Sequence, residues 1–144
     1  MIQLKPPFSA LDFELLYRIV AWHEAGHLVQ FDRFGIDAAA RLEFGLGGKL
    51  LGAITVGDHQ GLTSQELASV GWVGLISESI NSCTLAPQHE LPALTASTVA
   101  DWVRQVRSKF RGMMSNADWA MVVRCRDPLA AAETAFKRVL QVSA

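Results

Sequence analysis

Between Ser9 and Phe34 the inward-reading positions recur at steps of three and four: Leu16, Val20, His23, His27, Phe31 and Phe34 share one face. That period predicts a single long helix whose stripe turns toward the core. Ser9 is its expected N-cap, Asp12 sits in its first turn, and Gly35 is its expected left-handed stop. Ahead of it, Met1 to Phe8 holds Pro6-Pro7 and reads as an extended lead-in. Beyond Gly35 the pattern changes. Arg41-Leu42-Glu43-Phe44 alternates, Gly45, Gly47 and Gly48 break the chain, and Leu50 to Val56 follows as a mostly apolar run. Together they predict a β-ribbon with a glycine-rich turn.

Thr63-Ser64-Gln65-Glu66 is a capping box that opens a second helix reaching about Asn81. Ala68, Ser69, Gly71 and Gly74 make one side of that helix small, as close packing against a neighbour requires. Pro87 and Pro92 mark a loop carrying His89 and Glu90. A third helix is expected from about Thr95 to Phe110, with Val99, Trp102, Val103, Val106 and Phe110 at apolar spacing and Arg104, Arg107 and Arg111 on a solvated face. Ser115 or Asn116 starts a fourth helix through Val123, and Asp127-Pro128 opens a fifth to about Val142. These last two read as scaffold without a site. The expected fold is mainly α, α+β at the margin: about five helices and a small two-stranded ribbon, in one domain spanning 1–144.

Composition narrows the setting. Half of the residues are apolar and 19% are charged, which fits a globular chain rather than a disordered one. A net charge of −1 gives no overall pull toward nucleic acid or an anionic membrane. There is neither an apolar run of transmembrane length nor a signal-like N-terminus, so a cytoplasmic location is expected. Cys83 and Cys125 stand apart without CxxC spacing and are expected to be free thiols.

The chemistry lies in the first helix. His23-Glu24-Ala25-Gly26-His27 is an H-E-x-x-H pattern. Residues four apart on a helix stack on one face, so two imidazoles can converge on one ion, and neutral imidazole suits Zn²⁺. Glu24 sits beside the first histidine, placed to act as general base on a water. Gly26, between the histidines, leaves room for another backbone or a substrate to pass close.

Ala21-Trp22-His23-Glu24-Ala25-Gly26-His27-Leu28 resembles the A-[YW]-H-E-A-G-H-A block of the FtsH-type (M41) zinc metalloprotease domain. The resemblance implies a small, free-standing zincin-like relative; the AAA ATPase module and membrane anchors of FtsH have no counterpart in these residues. Val73 to Ile80 loosely resembles the family's G-G-R-A-A-E-E segment, agreeing at Glu78 and departing at Leu75 and Ser79.

Two histidines leave a third ligand to find. A histidine six residues past His27 would signal a metzincin, but that position is Arg33. Glu66 or Glu78 would serve as a helix-borne glutamate, and His59, Asp58 and His89 are further candidates, as is a centre with no third protein ligand. The resemblance favours Asp101: the family places an aspartate well downstream, at a helix start after a polar loop, and Ala100-Asp101-Trp102 partly matches its Asn-Asp-Leu. Glu78 is the runner-up, or else the partner of a ligand histidine. The expectation is a zinc peptidase with His23, His27 and Asp101 as ligands and Glu24 as base. It would act on a peptide or flexible protein segment paired with the ribbon near Leu50 to Val56. A homo-oligomer or a delivery partner is compatible with this, and the competing expectation is a non-catalytic zincin-like binding module. As oxyanion donors only Tyr17, the single tyrosine, and His59 come forward.

Overall fold

Helix α1 (Ala10–Arg33) forms over nearly the predicted span in the computed structural model, which describes residues 10–44, 50–82, 92, 94–95 and 97–143. It ends in a Schellman motif. Gly35 takes φ 71°, its N–H reaches Asp32 O at 3.0 Å, and the Ile36 N–H reaches Phe31 O at 2.9 Å. The predicted lead-in, the Ser9 cap, the turn glycines Gly45, Gly47 and Gly48, Cys83, His89 and Glu90 lie outside the described residues.

Strands β1 (Ala38–Phe44) and β2 (Leu50–Val56) pair antiparallel, with Leu42 opposite Gly52 and Ala38 opposite Val56. The first strand begins three residues earlier than its alternation suggested. Along β2, buried Leu50 and half-buried Gly52, Ile54 and Val56 alternate with exposed Ala53 and Thr55, so one face of the ribbon lies on α1. Among the described residues β2 pairs with β1 alone.

Helix α2 (Ser64–Ser82) is the centre of the molecule, packed by α1, α4 (Asn116–Val122) and α5 (Pro128–Ser143). Every residue from Ala68 to Ser79 is buried, as expected of a helix apolar on all sides. Its start is the predicted capping box: the Glu66 N–H donates to Thr63 Oγ1 at 3.1 Å, and the Thr63 N–H to Glu66 Oε1 at 2.9 Å. The glycines at its surface admit its neighbours. A Cβ at Gly71 would lie 2.7 Å from Asp118 O on α4. One at Gly26 of α1 would lie 2.8 Å from Val73 O, so the gap left by that glycine is taken by the α2 backbone.

Helix α3 (Val99–Ser108) is shorter than predicted. Ahead of it Thr98 N–H bonds Thr95 O at 3.0 Å and Thr95 N–H bonds Thr98 Oγ1 at 2.8 Å, a side-chain contact made in place of helical bonding. Its buried face delivers Trp102 edge-on to Trp72 at 5.7 Å between ring centroids, and the Trp102 indole N–H donates to Ser79 Oγ at 3.1 Å. A 3₁₀ turn, η1 (Arg111–Met113), leads into α4. Of the arginine face, Arg104 and Arg107 are exposed as expected. Arg111 is not: its guanidinium lies 4.3 Å over the Trp119 ring and donates to Met114 O at 3.2 Å. Asp127 caps α5 through the Ala130 N–H at 3.0 Å, with Pro128 as first helical residue. Cys125 is a half-buried free thiol. No helix among the described residues is long and apolar enough to cross a membrane.

Candidate metal centre

One helical turn separates His23 from His27, and their rings meet at 5.0 Å between centroids on the α2 side of α1. Each ring is fixed through Nδ1. His23 Nδ1 donates to Glu78 Oε2 at 2.6 Å, and His27 Nδ1 donates to the Val70 carbonyl at 2.9 Å. Since both partners accept, the proton of each neutral imidazole sits on Nδ1, and both Nε2 lone pairs point inward.

The third inward acceptor is Asp118 of α4. Its Oδ2 stands 3.3 Å from His23 Nε2 and 3.3 Å from His27 Nε2, and the two Nε2 atoms are 3.2 Å apart. Three such atoms in a near-equilateral triangle require a positive charge among them, either a proton shared with the carboxylate or a metal cation. The size of the triangle fits a small one. For metal–ligand bonds of about 2.0–2.1 Å at the tetrahedral angle, neighbouring ligand atoms stand about 3.3–3.4 Å apart. Two imidazoles and one carboxylate, with a fourth direction left for water, form a donor set suited to zinc.

The surrounding charge agrees. Burial opposes a charge on His23, but its hydrogen bonds to Asp118 and Glu78 outweigh this and push its pKa up to about 10. Burial would raise Asp118, yet the two histidines hold its carboxyl well below the usual carboxylate range. Burial pushes the Glu24 carboxyl up, opposed by the nearby histidines. The carboxylates thus favour positive charge at the histidines.

The expectation that Asp101 lies beside the two histidines is corrected: Asp118 stands there instead. Asp101 does lie in the first turn of α3, but it is exposed, accepts from Gln105 Nε2 at 2.7 Å and pairs with Arg104 at 3.6 Å. Helix α3 turns Trp102 and Val103 inward and leaves Asp101 in solvent. Glu78, the runner-up, takes the role of partner to His23. Glu66 is held in its capping box, and Asp58 accepts from the Gln60 N–H at 3.0 Å in an exposed turn. Helix α4, read from sequence as scaffold, carries the carboxylate that joins the two histidines. Ser115 caps it by accepting the Asp118 N–H at 3.1 Å, and Gly71 lets it approach α2.

Above the centre opens a cavity of about 580 Å³. His23, Glu24 and His27 line it from α1, Gly52, Ile54 and Val56 from β2, and Met113, Ser115 and Asp118 from the η1–α4 stretch. Glu24 lies under β2 at Gly52, where a Cβ would collide with its side chain. His59 also lines the cavity, its ring edge-on to Phe31 at 6.5 Å, whereas Tyr17 is exposed on α1 and is not among the lining residues.

Two expected outcomes follow from this geometry. Glu78→Gln keeps a polar group beside His23 but no longer draws its proton to Nδ1 as a carboxylate does, and should weaken zinc binding by about 10–100-fold in a competition titration. A Cβ at Gly74 would lie 2.6 Å from both Nε2 atoms. Gly74→Ala should therefore abolish stoichiometric zinc binding and lower the unfolding temperature, although alanine favours helix by about 1 kcal/mol. Unchanged zinc content in that variant would place the metal elsewhere.

No family model, no curated protein and no solved structure matches this chain.

Proposed function

We propose that the chain is a zinc-dependent peptidase in which His23, His27 and Asp118 hold the metal and Glu24 is the general base. One observation carries the proposal: two imidazole nitrogens and a carboxylate oxygen converge at 3.2–3.3 Å on the floor of a cleft that Glu24 also lines. The resemblance of Ala21–Leu28 to the FtsH-type block supports the same reading. A zinc ion there would supply Lewis acidity, lowering the pKa of water and polarising a scissile carbonyl.

The protein's own groups supply the rest. Glu24 takes a proton from the attacking water on its carboxylate and passes it to the departing amine. Glu78 and the Val70 carbonyl keep both imidazoles in the tautomer that presents Nε2 to the ion. Strand β2 offers an extended substrate a row of backbone groups along the cleft, the mode of strand addition. His59 is the only cleft-lining residue of the two considered as donors to a developing oxyanion.

The test is elemental analysis together with cleavage of a peptide library. About one zinc per chain is expected, with cleavage lost to a chelator and restored by Zn²⁺. Protein that takes up no zinc, or cleavage indifferent to chelation, would overturn the proposal.

A further inference from the structure

Three of the chain's four methionines, Met113, Met114 and Met121, fall on the η1–α4 stretch, and all three line the cleft. We infer that they form a substrate-reading wall, and that the peptidase proposed above, on which this inference rests, selects segments with unbranched or aromatic apolar side chains beside the scissile bond.

The wall has a front and a back. Met114 is 3% exposed and belongs to the core, whereas Met113, packed on the edge of that core, and Met121, packed near Gly71, are half-buried residues of the cavity lining. Arg111 holds the stretch from behind through the Trp119 ring and the Met114 carbonyl, so its backbone is braced while the methionine side chains keep three rotatable bonds each. A fixed backbone bearing adaptable side chains suits a site that accepts several apolar shapes. From β2, half-buried Ile54 and Val56 add apolar surface to the same cavity.

Among the described residues lining the cavity none is Lys or Arg, so away from the histidine centre a substrate carboxylate meets no lysine or arginine partner.

The test uses a peptide set that differs only at the residue beside the cleaved bond, with zinc-loaded protein. Leu, Met and Phe should be cleaved within a few-fold of one another and about tenfold or more faster than Asp, Lys or Gly. Met113→Glu and Met121→Glu should shift the preference toward Lys and Arg, a change that mere loss of packing would not produce. Should either variant fail to fold, Met113→Gln and Met121→Gln should still narrow the apolar advantage several-fold. Preferences identical to wild type in zinc-bound variants would overturn the wall. Binding of the same peptides, fluorescein-labelled, to the Glu24→Gln protein separates the two readings. Apolar-selective binding without any wild-type cleavage would retain the wall and remove the peptidase. Cleavage indifferent to the variable residue would retain the peptidase and remove the wall.

Discussion

Replacing Glu24 by Gln should lower peptide cleavage by about 10²–10⁴-fold while zinc content stays at the wild-type level. The expectation rests on separable roles. Glu24 is not a corner of the ligand triangle, which His23, His27 and Asp118 complete without it. Its carboxylate lies in the cleft beneath Gly52, a position where the absence of a side chain on β2 gives it space. Glutamine fills nearly the same volume and leaves both imidazoles where Glu78 and Val70 hold them, but it cannot accept a proton from water. Kinetics with metal analysis on both proteins decides the matter. A variant that retains zinc and cleaves as fast as wild type would mean that another group removes the proton.

Asp118→Ala should weaken zinc binding by more than about 100-fold, beyond the range usual for a group that only supports a ligand. Asp101→Ala should leave it unchanged. Asp118 Oδ2 stands 3.3 Å from each Nε2, whereas the Asp101 carboxylate is exposed and engaged with Gln105 and Arg104. Two imidazoles alone would remain, with no anionic donor to offset the desolvation of a divalent ion. Elemental analysis of the two variants, with circular dichroism to verify folding, is sufficient. Zinc retained in Asp118→Ala and lost in Asp101→Ala would restore the sequence-based assignment.

The contrast between these aspartates shows where the sequence was readable. Helical periodicity, the Thr63–Glu66 capping box, Gly35 and Asp127-Pro128 marked element ends, because each acts within a few residues of chain. The histidine pair was legible for the same reason: one helical turn fixes its geometry. The third ligand was not, because it comes from a helix distant in sequence, and which helix docks there is decided by packing. The chain contains Ala-Asp-Trp twice, at 100–102 and at 117–119, each time in a first helical turn. Only the second follows a side-chain N-cap, Ser115, and only the second meets a glycine, Gly71, on the central helix. Those small residues on α2 were read as a packing surface, which they are. That Gly74 also faces both ligand nitrogens required the docked helices to be seen.

The three corners of the triangle come from opposite ends of the chain, and this gives its assembly an order in time. On a ribosome adding about 5–20 residues per second, Asp118 is made roughly 5–18 s after His27. Until then the nascent chain would carry the proposed base and two of the three proposed ligands but lack the Asp118 carboxylate. The metal would be captured late, once α4 has docked on α2. A half-made molecule would therefore be inert toward its own unfolded segments and those of its neighbours.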